Sequence, residues 1–322
     1  MQNKTRIFFY SASAAVAIAA ILMTIISRTT PFRELGMSIV SDFDSKSALL
    51  FYKLLSTYQQ ELIEYRGFQS ETHFIESADG YRLQTVRIIN PHFQKRKQQQ
   101  LKPVLLYHGY QCSGSMWIIA TSGVLQANGT YFEENVHRED PGATGNTLGF
   151  VLAAAGYDVW LANSRGNIYS TNHSRLDPAE QEFWNFSADE IIKYDMPALI
   201  DYIRSTTKSP VGYIGHSQGN LVMFGLLASQ PKYNQLVKPF IGISPVGFFV
   251  EFNIPVIKHL ETYRNYLPKL FPRNILSGAT RWTGGSRWCT LPLVNEYICY
   301  LIYYGLMGSP KEQVDLVSRH FH

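Results

Sequence analysis

The residues best able to do chemistry in this chain are Gly215-His216-Ser217-Gln218-Gly219, a serine with a glycine two positions away on each side. A serine hydroxyl attacks acyl carbon only when it is held clear of the fold and supplied with a base. The surroundings therefore decide what the run means. Before it, Val211-Gly212-Tyr213-Ile214 has the length and apolarity of a strand, and after it Leu221 to Leu227 is apolar enough for a buried helix. Strand, sharp turn and helix leave the serine on a strained backbone that only small neighbours tolerate, which gives both glycines a steric purpose. Such a turn lifts the hydroxyl above the strand end and aims the Gln218 backbone N–H, near a helix N-terminus, at an oxyanion formed there. Ser217 is the candidate nucleophile and Gln218 one oxyanion donor.

A second donor has to come from another strand end. Val104-Leu105-Leu106-Tyr107 is an apolar run typical of a strand covered on both faces, and it ends at His108-Gly109. The loop after such a strand supplies the other N–H in hydrolases built around this turn, which makes Tyr110 the candidate. His108 reads as a brace for that loop and not as a base.

Several further elements have to position these loops. Thr72 to Ile75 and Leu83 to Ile89 flank the turn signal Ala78-Asp79-Gly80 and read as a hairpin. Asn146 to Ala155 reads as a helix closed by Gly156 and followed by a strand, Tyr157 to Ala162. Ser187-Ala188-Asp189-Glu190 is a helix-start box, the apolar positions Ile192, Met196, Leu199, Ile200 and Ile203 continue at helical spacing, and Pro197 predicts a kink. Phe240 to Ile243 is the next strand. Strands alternating with helices predict an α/β fold with a mostly parallel sheet and helices on both faces.

Composition sets outer limits. With 322 residues, 45% of them hydrophobic, the chain can bury a large core. A net charge of +4 from scattered lysines and arginines gives no reason to expect a nucleic-acid partner. Of the three cysteines, Cys289 and Cys299 allow a bridge in an oxidising compartment, and free buried thiols are the equal alternative. No metal spacing is present. Ile7 to Ile26 is almost unbroken apolar sequence between Lys4, Arg6 and Arg28, long enough to span a bilayer. It reads as a signal-anchor, with a cleaved signal as the alternative, and the flanking charges slightly favour a lumenal body. In that compartment the sequons at Asn128, Asn172 and Asn185 become usable.

With these residues placed, ordered blocks of the chain resemble the acid lipase family of α/β-hydrolases, which includes gastric and lysosomal acid lipases and steryl ester hydrolases. The blocks are Glu61 to Phe68, Asp79-Gly80-Tyr81, Leu106-Tyr107-His108-Gly109, Ala155 to Trp160, Asn163-Ser164-Arg165-Gly166-Asn167, Glu182 to Ser187, Lys193 to Ala198 and Gly215 to Gly219. The resemblance implies hydrolysis of neutral lipid esters, either triacylglycerols or steryl esters, at a membrane or lipid-droplet surface with no metal or organic cofactor. By that match Ser217 is the nucleophile, and Tyr110 and Gln218 form the oxyanion hole. It also implies a helical cap inserted after the sixth strand. The domain layout becomes residues 1–33 as anchor or signal, 34–60 as connector, 61–245 as the α/β-hydrolase core, 246–308 as cap and 309–322 as tail. The aromatic residues of the cap segment, Phe248, Tyr263, Trp282 and Tyr304 among them, suit an apolar ligand.

One departure stands out. In this fold the triad acid and histidine follow the nucleophile on later strands, and the resemblance puts both beyond the cap. Asp315 and His320 or His322 are too close together in sequence to occupy two strand ends, and His259 lies within the cap segment. The sequence therefore predicts neither triad acid nor base in this chain, and the last strands missing. The favoured reading is a fragment of an active lipase; a splice product and a short form without catalysis are the alternatives. A membrane-anchored lipid binder that performs no turnover is the second functional class.

Overall fold

Strand residues sort themselves by how much of each is apolar. The first two strands mix polar with apolar residues and form a hairpin, β1 (Gln69–Glu76) and β2 (Arg82–Ile89), closed by a turn in which Gly80 takes a φ of +103°. The runs that are apolar throughout become the centre of the sheet: β3 (Lys102–Tyr107) has five successive buried residues. A small hairpin follows, β4 (Gly123–Leu125) with β5 (Tyr131–Glu133). Helix α1 (Leu148–Ala154) then leads into β6 (Tyr157–Ala162), and α2 (Met196–Thr207) into β7 (Val211–His216). Helix α3 (Gln218–Ser229) starts directly after Ser217 and precedes β8 (Val237–Ile243). The computed structural model describes residues 58–94, 101–110, 112–133 and 145–247.

The six-stranded sheet has the order β1-β2-β6-β3-β7-β8. Strands β6, β3, β7 and β8 are parallel, and the hairpin joins antiparallel through β2. Because strand side chains alternate between faces, each strand feeds two cores. Leu105, Tyr107, Trp160 and Tyr213 pack with Leu199, Ile200 and Ile203 of α2 and Val222, Met223 and Leu226 of α3. Val104, Leu106, Val159, Leu161 and Ile214 pack on the other face with Phe150 and Ala153 of α1 and with Trp117 and Ile118. Each such side chain contributes roughly 1.5–3 kcal/mol when fully buried. The expected two-faced α/β sheet is therefore present. At the far edge β8 is mostly exposed, with Ile241 and Ile243 open to solvent.

Two boundaries differ instructively from the sequence reading. The box at Ser187 forms, with the Ser187 hydroxyl accepting from the Asp189 N–H and the Glu190 carboxylate accepting from the Ser187 N–H. Pro197, however, is accommodated by a π-helical turn over Ile191–Asp195. A proline lacks the N–H that would have bonded the Lys193 carbonyl, and the Gln230 side-chain amide approaches that carbonyl at 3.5 Å. The second difference is the β4–β5 hairpin, which falls in a stretch that the sequence reading left unassigned. Its last residue, Glu133, is buried and accepts the backbone N–H groups of Asn146 (2.6 Å) and Thr147 (2.7 Å), so it satisfies the start of α1 from a distance in sequence.

The anchor or signal segment at Ile7 to Ile26, the possible Cys289–Cys299 bridge, nearly all of the cap, and Asp315, His320, His322 and His259 lie outside the described residues. Among the described residues no helix is long and apolar enough to cross a membrane.

Candidate active site

The parallel strands set where a site can form. From β3 the chain goes to β6 on one side and then to β7 on the other, so the topological switch point falls beyond the C-terminal ends of these strands, the place where ligands bind in open α/β sheets. The loops after β3 and β7 meet there.

At the end of β7, Ser217 has φ 49° and ψ −112°, outside the ordinary wells for a residue with a side chain. A Cβ on Gly219 would lie 2.7 Å from the Tyr107 carbonyl oxygen, and one on Gly215 would lie 2.9 Å from the Gly219 carbonyl carbon. Main chain is close on both sides, so both glycines are required sterically. The turn is held by hydrogen bonds: Ser217 N–H to the Ile243 carbonyl at 3.1 Å, Asn220 Nδ2 to the same carbonyl at 2.9 Å, and Tyr213 Oη to the Gly219 carbonyl at 2.7 Å. Ser217 itself is half-buried, and its hydroxyl does not cap α3. The oxygen is thus left for other use.

The loop after β3 lies directly against this turn. A Cβ on Gly109 would come within 2.7 Å of His216 Nδ1 and 3.3 Å of Ser217 Cβ. The structure therefore brings the Tyr110 loop and the Ser217–Gln218 turn together, with the Tyr110 side chain exposed. His108 is buried, donates from Nδ1 to the Gly109 carbonyl at 2.7 Å, and accepts the Ser164 N–H on Nε2 at 3.0 Å. With one nitrogen donating and the other accepting, the ring is neutral and cannot take a proton from Ser217. Burial pushes its pKa down to about 4. Burial also lowers that of His216.

The sequence reading missed the polar network behind these loops. Asn163, fully buried at the end of β6, accepts on Oδ1 from the Gly114 N–H at 2.9 Å and from the side-chain amides of Gln59 and Asn167, each at 3.2 Å. Its Nδ2 donates to Gln59 Oε1 at 3.1 Å and to the Gln84 carbonyl at 3.0 Å. One side chain thereby ties the loop after β3 to the loop after β6, strand β2 and the helix over residues 58–65. Gln59, two residues before the expected start of the core, is fully buried. Nearby, Arg165 pairs with Asp79 and with Asp195 on the π-helical turn, and its guanidinium lies 4.0 Å from the centre of the Tyr81 ring. The signal for both was a polar run, Asn163-Ser164-Arg165, straight after a strand of buried residues.

A half-buried serine on a strained strand-to-helix turn, beside a glycine loop at the switch point of a parallel sheet, is the arrangement of the α/β-hydrolases. A family model described as the alpha/beta hydrolase fold matches residues 144–287, and one described as a partial alpha/beta-hydrolase lipase region matches residues 59–121. The chain is 33% identical over 277 residues to lysosomal acid lipase/cholesteryl ester hydrolase of Homo sapiens, covering 81% of this chain and 61% of that one. It is 38% identical over 190 residues to gastric triacylglycerol lipase of Bos taurus, covering 58% and 42% respectively. Lipase 1 of Drosophila melanogaster is 32% identical over 250 residues, covering 77% and 49%. The chain has the α/β-hydrolase fold and is similar to acid lipases over as much as 81% of its own length. It spans at most 61% of the length of these relatives.

Proposed function

We propose that the protein is a serine lipid-ester hydrolase acting on triacylglycerols or steryl esters through an acyl-enzyme on Ser217. In this reading the Ser217 oxygen attacks the ester carbonyl carbon while its proton passes to a base. The tetrahedral oxyanion is stabilised by the backbone N–H groups of Tyr110 and Gln218, the alcohol leaves with a proton, and water hydrolyses the acyl group. The observation that supports it best is the strained backbone of Ser217 next to the Gly109–Tyr110 loop. The named substrates of the human and bovine relatives supply the lipid class. Their lysosomal and gastric names support entry into the secretory pathway, where residues 1–33 act as signal or anchor, the sequons are used, and substrate is met at a membrane or lipid-droplet surface.

A second reading is a lipid-binding protein of the same fold without turnover. It is favoured by one feature: among the described residues, no imidazole or carboxylate is hydrogen-bonded to the Ser217 hydroxyl. A fluorophosphonate probe separates the two. Labelling of the folded chain that is lost in Ser217→Ala supports the hydrolase, and absence of labelling supports the binder.

A further inference from the structure

Of the sequons, the one at Asn128 lies in the hairpin the sequence reading did not assign, and its geometry differs from the others. Asn128 is exposed at the β4–β5 turn. Its Oδ1 accepts the Thr130 N–H at 2.9 Å and the Thr130 hydroxyl at 2.7 Å, while Gln126 and Thr130 close the turn through a 2.8 Å backbone hydrogen bond. Only the carbonyl side of the amide is used. Nδ2, the atom to which a sugar is attached, donates to no acceptor among the described residues. The other sequons are more constrained. Asn172 and Ser174 are exposed too, but the main chain of that sequon is fixed to the β1–β2 hairpin, the Asn172 carbonyl accepting the Arg82 N–H at 2.9 Å and the Ser174 N–H donating to the Gly80 carbonyl at 2.8 Å. Asn185 lines a cleft of about 250 Å³ beside Arg165, and the hydroxyl of Ser187 in its sequon is committed to Glu190.

The hairpin also sits where a large appendage does no harm to the site. The Gly129 carbonyl accepts from Asn90 Nδ2 at 3.2 Å, and Asn90 follows the end of β2. Strand β2 runs antiparallel to β6, with Ile88 opposite Val159 near the start of β6. Asn90 and the turn at Asn128 are therefore at the N-terminal end of the parallel strands, whereas Ser217 is at the C-terminal end of β7. A chain growing from Asn128 starts at the end of the sheet opposite Ser217.

We propose that Asn128 is an N-glycosylation site and the one of these sequons that the fold presents best. The donor is a lipid diphosphate-linked oligosaccharide. Asn128 Nδ2 forms a bond to the anomeric carbon, the bond from that carbon to the diphosphate oxygen breaks, the lipid diphosphate leaves, and Nδ2 loses one proton. The proposal rests on the secretory placement proposed above.

The test is translation of the full chain with endoplasmic-reticulum microsomes, carrying a reporter sequon on a short tag after His322. Glycan number is read by peptide N-glycosidase shift, and occupancy by the mass change at each asparagine. The expected result is a modified reporter, near-complete occupancy of Asn128, and loss of one glycan step in both N128Q and T130A. A modified reporter with unmodified Asn128 overturns the assignment while leaving the secretory reading intact. An unmodified reporter overturns the secretory reading and the Asn128 assignment with it.

Discussion

Replacing Ser217 by alanine and by glycine separates the hydroxyl from the backbone that carries it. Alanine removes the oxygen but keeps a Cβ at φ 49°, ψ −112°, whereas glycine removes both the oxygen and the steric penalty. A residue held in such a region costs about 1–3 kcal/mol, and the greater chain entropy of glycine offsets roughly 0.5–1 kcal/mol of the relief. Ser217→Gly should therefore be more stable than Ser217→Ala by about 1 kcal/mol, the reverse of the order at an ordinary position. With a urea m-value of about 2 kcal/mol/M, that is a midpoint higher by about 0.5 M. Urea unfolding of the two variants, followed by tryptophan fluorescence, reads the difference directly, and neither variant should take a fluorophosphonate label. If the alanine protein equals or exceeds the glycine protein, the backbone at Ser217 is not strained and the nucleophile reading loses its main support.

His108 gives the clearest pH dependence. Its pKa lies well below the ordinary histidine value in the folded protein, so the unfolded chain takes up the proton first as the pH falls. The stabilisation from the neutral ring is complete above pH about 6.5 and is lost progressively toward pH about 4, to a total of about 3 kcal/mol; unfolding at pH 7.5 and 4.5 should show it, and His108→Gln should flatten the slope. Burial raises the pKa of Glu133, but hydrogen bonds from Thr121, Asn146 and Thr147 outweigh it and lower the value overall. Its contribution is present above the ordinary carboxylate range and lost as pH falls through the folded value. Glu133→Gln leaves a single acceptor oxygen for two backbone donors and should cost about 1–3 kcal/mol, seen as faster amide exchange at Asn146 and Thr147. Arg165→Met strands the fully buried Asp195 without its cation and should cost about 3–5 kcal/mol by thermal melting.

The nucleophile turn was legible because its requirements are local: glycines at fixed offsets from Ser217 answer to clashes within a few residues. The central strands were legible for a similar reason, since burial on both faces leaves an unbroken apolar run, as in β3. The hairpin at residues 123–133 was not, because strands of three residues carry no periodicity. Its one signal, Asn128-Gly129, is a turn dipeptide that was read only as part of a sequon. The polar network was hidden by distance along the chain: Gln59 and Asn163 are 104 residues apart, and Asp79 and Arg165 are 86 apart. A buried asparagine or arginine announces that it must have partners. Nothing in its neighbourhood says which.

Strain at Ser217 persists only if the surrounding structure determines it from several directions, and one of those directions comes from β8, the most exposed strand of the sheet. The Ile243 carbonyl accepts both the Ser217 N–H and the Asn220 side-chain amide. Asn220 is fully buried, and its Oδ1 has no hydrogen-bond partner among the described residues. Asparagine is therefore present for its donor alone. Asn220→Ala removes one hydrogen bond together with one unsatisfied acceptor, so the stability loss should be about 1 kcal/mol or less. Asn220→Asp puts a carboxylate against the Ile243 carbonyl with no donor to satisfy it, and should cost several times more near neutral pH. Both should slow labelling of Ser217 by loosening the turn. If alanine proves as damaging as aspartate, Asn220 acts by filling space and the anchoring of the nucleophile to β8 must come from the Ser217 N–H alone.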